Sequence, residues 1–238
     1  MSWALSHANG HQHELTTDRQ GLLSGLPEHL FANLFSHATT VRLCANRPLF
    51  LAGDAGDGCF RVKDGLLKVT IASRSGSERI LAFAGPGAIV GELSVIDRLP
   101  RSASVIAVRN AALGFLSRAR FEDFAKKQPE VHQSLVTLLA TRLRETDVTI
   151  AAGTFLPLRG RVACTLLELT DNFGKEVGRG HIVVHQKISQ KDLAAMAGIS
   201  RESVSRILND RKRRKLISRL SGYYSIENKA KLQKEAEI

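Results

Sequence analysis

The sequence lacks any run of roughly 18 apolar residues, so no segment of it is expected to cross a bilayer as a helix. It also lacks a secretory signal. The stretch Met1 to His13 is polar and histidine-containing rather than charged and then apolar, which predicts a cytoplasmic protein without a membrane partner. Cysteine is scarce: Cys44, Cys59 and Cys164 are odd in number and widely separated, which argues against a disulfide framework and against a paired-cysteine metal knuckle. The four clustered cysteines of an iron–sulfur centre are missing, and no histidine falls between His37 and His132 to hold a haem. No Ser-His-Asp order, HExxH pair or glycine-rich Lys-Ser/Thr phosphate loop appears, so no catalytic residue is assigned and the chain is expected not to be an enzyme. His7, His11 and His13 read as part of a polar leader, and no metal site is expected.

What is present suits two modest domains: 238 residues, 43% hydrophobic and 24% charged. Lys and Arg total 34 against 23 Asp and Glu, a net of +11. The excess is uneven, because residues 151–238 hold 17 basic and 9 acidic side chains, a net of +8. The polyanion-binding end is therefore expected to be the C-terminal one.

Leu22, Leu23, Leu26, Leu30, Phe31, Leu34 and Phe35 are spaced for one or two short helices. From Val41 to Leu116 short apolar stretches alternate with Gly53, Gly56, Gly58, Gly65, Gly76, Gly85 and Gly87, the texture of a β-sandwich or jelly roll. After Pro129, the residues Val131, Leu135, Leu138, Leu139, Leu143, Val148 and Ile150 recur at helical spacing and predict a long helix suited to dimerisation. Phe155-Leu156-Pro157 punctuates it, since the residue before a proline is pushed out of the α region. Beyond lie a helix near Gly160 to Thr170, a glycine-rich turn from Asn172 to Gly180, a short strand Ile182 to His185 and two helical patterns reaching Leu216.

Two motifs carry chemistry. The first is Pro86-Gly87-Ala88-Ile89-Val90-Gly91-Glu92-Leu93-Ser94 followed by Pro100-Arg101-Ser102-Ala103-Ser104-Val105. Gly91 lets backbone approach an anion, Arg101 can fork onto phosphate oxygens, Ser102 can donate a hydroxyl hydrogen bond, and Glu92 can accept from a ribose hydroxyl. Taken in isolation, Glu92 and Arg101 would most simply pair with each other. The second motif runs from Ile188 to Leu208, where two helical patterns meet at Gly198. Ser189 and Ser200 can cap the two helices over a core of Leu193, Met196, Val204, Ile207 and Leu208, leaving Arg201, Glu202, Ser205 and Arg206 outward. Arginine can pair with guanine O6 and N7 and glutamate can accept from cytosine N4. The run Arg211-Lys212-Arg213-Arg214-Lys215 is placed for phosphates.

The first string resembles the phosphate-binding cassette of the cyclic-AMP receptor and fumarate-nitrate regulator superfamily, and Ser200-Arg201-Glu202-Ser203-Val204-Ser205-Arg206 resembles that superfamily's recognition helix. The resemblance spans about residues 22 to 225. It implies an α+β fold: a polar leader at 1–21, a cyclic-nucleotide-binding β-roll (jelly roll) at 22–130, a dimerisation helix at 131–154, a hinge at 155–157 and a winged helix-turn-helix at 158–238. It also implies that Gly91, Glu92, Arg101 and Ser102 hold a ligand while Val90, Leu93, Ser94 and Ala103 shape the pocket wall. Thr146 and Asp147 fall where the family reaches the base. The threonine points to cyclic AMP as the allosteric ligand, and Asp147, able to accept from adenine N6 or from guanine N1 and N2, leaves cyclic GMP open. The expected DNA contacts are Ser189, Gln190, Ser200, Arg201, Glu202, Ser205, Arg206, Arg211 and Arg213. The implied function is cyclic-nucleotide-controlled binding of a homodimer to palindromic double-stranded promoter DNA, with RNA polymerase as a further partner. The alternatives are a regulator of the same family answering another effector, one binding DNA constitutively, or a regulatory subunit acting on a protein. Pro157 stands where the family has a polar helix cap, which predicts a stiffer hinge.

Overall fold

The computed structural model describes residues 28–178 and 181–237. The leader expected at 1–21, the apolar residues Leu22, Leu23 and Leu26, Gly180 and the side chain of Leu138 lie outside what is described. Helix α1 (Glu28–Phe35) buries Leu30, Phe31, Leu34 and Phe35, two i, i+4 pairs on one face. Then come strands β1 (Thr39–Leu43), β2 (Pro48–Phe50), β3 (Gly58–Asp64), β4 (Leu67–Ala72), β5 (Glu78–Ala84) and β6 (Ile89–Val90), helix α2 (Glu92–Asp97), and strands β7 (Ser104–Ala107) and β8 (Ala111–Ser117). They form two antiparallel sheets ordered β1-β8-β3-β6 and β2-β7-β4-β5. Val62, Leu67, Val90, Val105 and Leu113 close the space between them, each fully or nearly buried. Each such side chain contributes roughly 1.5–3 kcal/mol by leaving water.

Helix α3 (Arg118–Lys127) starts at Ser117, whose Oγ accepts from the Arg120 amide. Helix α4 (Glu130–Phe155) follows, its 26 residues spanning roughly 39 Å at about 1.5 Å per residue. Val131 and Leu135 pack with α1 and α3. Beyond them the helix leaves the β-roll, and Val136, Leu139, Leu143 and Ile150 are 62%, 41%, 63% and 61% exposed. Those positions, with Thr146 in step, follow the alternating three- and four-residue spacing of a two-helix seam.

The remainder comprises α5 (Leu158–Phe173), β9 (Gly174–Glu176), β10 (Ile182–Val184), α6 (Gln190–Ala197), α7 (Arg201–Arg213), β11 (Ile217–Leu220), β12 (Tyr223–Ile226) and α8 (Lys229–Glu235). The strands pair as β11-β12-β10-β9. Two local expectations change, and one segment with no expectation gains structure. The long helix runs one residue into the expected hinge, ending at Phe155 with Leu156 and Pro157 extended. The glycine-rich turn contains β9, because Lys175 and Glu176 pair with β10 across the sheet. The chain after Ile226 forms α8, whose Leu232 is buried.

The C-terminal core is not closed on itself. Val162, Leu166, Leu193, Val204, Leu208 and Tyr224 share one buried cluster with Leu66, Ile80 and Phe83 of the β-roll. Strand β5 lies against α6, and a Cβ placed on Gly85 would sit 3.1 Å from the Phe173 ring.

Candidate functional site

Strand β6 delivers the chain into Gly91, whose φ of +80° and ψ of 12° lie in the left-handed region that side-chain-bearing residues avoid. A Cβ there would collide with Nη1 of Arg101, so both conformation and space demand glycine. Arg101 arrives from the loop before β7. Its own amide donates to the Asp54 carbonyl and its carbonyl accepts from the Gly53 amide, each at 2.8 Å, which fixes the loop. The side chain is 5% exposed. Nη1 donates to the Gly91 carbonyl at 2.7 Å, the guanidinium carbon stacks 4.3 Å from the Phe50 ring centroid, and Nε has no hydrogen-bond partner among the described residues. Burial pulls the Arg101 pKa down, while the charges of Asp57 and Glu92 oppose the change and keep the cation in place.

A cavity of about 140 Å³ opens at this point. Val90, Gly91, Glu92, Leu93, Ser94, Arg101, Ser102 and Ala103 all line it. The opposite wall is apolar: Phe50, Val69, Leu81, Phe83 and Val105. A buried cation with a spare donor, set against an apolar wall, suits a ligand with a single negative charge at one end and a flat uncharged body at the other. Burial, reinforced by Glu92, pushes the nearby Cys59 thiol up to about 12, so this sulfur stays protonated and is a poor redox nucleophile. Thr146 and Asp147 do not line the cavity. They stand on the exposed part of α4, Thr146 in the apolar seam and Asp147 beside it.

Motif reading missed Phe50 and Arg118. Phe50 reaches the cavity because β2 pairs with β7, placing Phe50 opposite Val105. Arg118 donates to the carbonyls of Gly56 and, at 2.9 Å, Ser94, tying the preceding loop to α2. Neither has a local sequence signal, since each arrives by pairing between distant strands.

In the second motif Ser189 Oγ accepts from the Asp192 amide at 3.0 Å and donates to the Asp192 carboxylate at 2.6 Å, so it starts α6 as a reciprocal cap. Ser200 Oγ accepts from the Ser203 amide at 3.2 Å and starts α7. Arg201, Glu202 and Arg206 are exposed, with Ser205 and Gln190 half-exposed. The Glu202 carboxylate is held below the usual range, first by its own backbone N–H and then by the Ser200 hydroxyl, so it remains an acceptor. Arg213 is exposed near the helix end.

Arg211 requires correction. It is 0% exposed, and its guanidinium donates to the Glu235 carboxylate at 2.6 and 3.0 Å and to the Arg159 carbonyl at 2.6 Å. Position 211 continues the inward stripe of Val204, Ile207 and Leu208, and α8 brings the countercharge. Arg211 is therefore a core residue and not a DNA contact.

Among the described residues no helix is long and apolar enough to cross a membrane, and no three His, Cys, Asp or Glu side chains gather in metal-binding geometry. A β-roll with a cation-lined cavity, a long helix with an exposed seam and a capped pair of helices on a basic end are the parts of a DNA-binding regulator with a separate ligand-binding domain. Residues 40–128 match the model of the cyclic nucleotide-binding domain, and residues 160–235 match the Crp-like helix-turn-helix domain. The chain is 38% identical over 163 residues to the cyclic AMP receptor protein of Thermus thermophilus, covering 68% of this chain and 72% of that one. It is 29% identical over 219 residues to the CRP-like cAMP-activated global transcriptional regulator of Mycobacterium tuberculosis, covering 92% and 94% respectively. A solved CRP/FNR-family transcriptional regulator of Thermus thermophilus superposes with a TM-score of 0.67 at 25% identity, over 84% of this chain and 99% of that one. The chain belongs to the CRP/FNR family of transcription regulators, which are not enzymes.

Proposed function

We propose that this chain is a cyclic-AMP-responsive regulator that binds two-fold symmetric promoter DNA as a homodimer in the cytoplasm, with RNA polymerase as a downstream partner. The observation that carries the ligand reading is Arg101: a buried guanidinium with an unpartnered Nε, stacked on Phe50 in a cavity that also holds Glu92 and Ser102 and has one apolar wall. Glu92 supplies the ribose acceptor, and the apolar wall takes the purine. Two relatives are named for cyclic AMP. Asp147 beside the seam keeps cyclic GMP as a second ligand.

The physical basis of the switch is linkage. A ligand shifts the protein toward its DNA-binding form only by its differential affinity for that form. A base held between two copies of α4, near Thr146 of one and Asp147 of the other, supplies such a difference. Titration of a labelled symmetric duplex followed by fluorescence anisotropy is expected to show tighter binding with cyclic AMP than without. Calorimetric silence with both cyclic nucleotides, together with unchanged DNA affinity, would overturn the ligand reading.

The seam of Val136, Leu139, Leu143 and Ile150 carries the dimer reading. Sedimentation is expected to give a dimer for the wild type and a monomer for Leu143→Glu, since a carboxylate in the seam meets its own copy in an apolar setting. A monomeric wild type with ligand and DNA present would refute it.

A further inference from the structure

Along α7, Glu202, Arg206, Asn209 and Arg213 fall on one outward stripe, with half-buried Asp210 at its edge. An open groove of about 860 Å³ runs beside it, walled by Arg206, Asp210, Lys212 and Arg213 of α7 and by Arg159 from the first turn of α5. Three guanidinium groups lie within ion-pairing distance of the Asp210 carboxylate, and Arg214 among them is also 3.0 Å from Glu235 Oε1. Asp210 Oδ2 accepts from Arg159 Nη1 at 2.6 Å and lies 3.6 Å from Arg214 Nη1, while its Oδ1 lies 3.3 Å from Arg213 Nη2. The hydrogen bond from Arg159 is the first cause holding the Asp210 pKa below the usual carboxylate range, so the group is ionised wherever DNA is bound.

A carboxylate that takes one hydrogen bond each from Arg159 and Arg213 beside a DNA-reading stripe occupies the chemical place of a phosphodiester oxygen, with the same charge. We propose that Asp210 is a resident phosphate mimic that competes with the DNA backbone for Arg159, Arg213 and Arg214 and so limits sequence-independent affinity. The inference rests on the DNA-binding reading above. Ion pairs at a solvated surface are weak, so phosphates can displace the carboxylate. Once displaced, it stays within a Debye length of roughly 8 Å and continues to oppose them.

The test is anisotropy on a random-sequence duplex between about 50 and 200 mM salt, comparing wild type, Asp210→Asn and Arg159→Gln. Asp210→Asn is expected to steepen the slope of log affinity against log salt by about 0.9, a gain about threefold larger at the low-salt end than at the high-salt end. Arg159→Gln is expected to make the slope shallower by a similar amount. The opposite signs are the diagnostic. A merely structural pair would be broken by either variant, and both would then shift binding in the same direction. Shifts of the same sign, or an unchanged slope for both Asp210→Asn and Asp210→Ala, overturn the proposal. A wild type with no salt-dependent DNA binding overturns the DNA-binding reading itself.

Discussion

Replacing Arg101 with alanine is expected to weaken cyclic AMP binding by about two to four orders of magnitude. Removing one partner of a buried charge pair costs about 3–5 kcal/mol, most of it the cost of leaving the other charge without compensation. In wild type the guanidinium is fixed before ligand arrives, by the Gly91 carbonyl on one side and the Phe50 ring on the other. Little side-chain ordering is therefore left to oppose binding. The backbone bonds from Arg101 to Gly53 and Asp54 survive the substitution, so circular dichroism and weak binding to random DNA should remain near wild type. Arg101→Lys keeps the charge but loses the fork, and should fall between the two. Isothermal calorimetry decides the matter. Affinity for cyclic AMP within a few-fold of wild type in the alanine variant would mean that the phosphate sits elsewhere.

The largest effect on stability is expected at a residue with no contact to ligand or DNA. Glu235→Ala leaves the Arg211 guanidinium in the core without its carboxylate and also strips Arg214 of a 3.0 Å partner. Uncompensated buried charge again costs about 3–5 kcal/mol, which for a domain of this size lowers the melting temperature by more than about 10 °C. The double replacement Arg211→Met with Glu235→Leu should recover most of the loss, because apolar side chains of similar volume often substitute for a buried pair without penalty. Differential scanning calorimetry reads both. A shift of less than about 2 °C for Glu235→Ala would show that water reaches Arg211 and solvates it.

The cassette from Val90 to Ala103 was legible because its parts are close in sequence: a strand, a left-handed glycine, a short helix and one returning loop bring every named residue to one cavity. Ser189 and Ser200 were legible as caps for the same reason, since a cap and its amide are three residues apart. Arg211 was misread because the basic run Arg211 to Lys215 looks uniform along the chain. Only helical phase and the arrival of α8 from 24 residues downstream separate the buried arginine from its exposed neighbours. Phe50 and Arg118 escaped because strand pairing places them and no local pattern marks such pairing. Thr146 and Asp147 follow a different logic. They lie on the exposed part of α4, where the proposed second copy would complete the geometry, so neither periodicity nor a single chain brings them to the cavity.

The shared cluster of Leu66, Ile80 and Phe83 with the helices of the C-terminal half bears on how this protein can be taken apart. A fragment cut at Pro157 would carry away one side of that cluster and leave apolar surface on both pieces, the kind of patch that drives aggregation in isolated fragments. Phe83 also lines the ligand cavity, so the severed β-roll would lose the packing behind its own pocket wall. The two halves are consequently poor candidates for recombination with halves of other regulators unless β5 travels with the helices it supports.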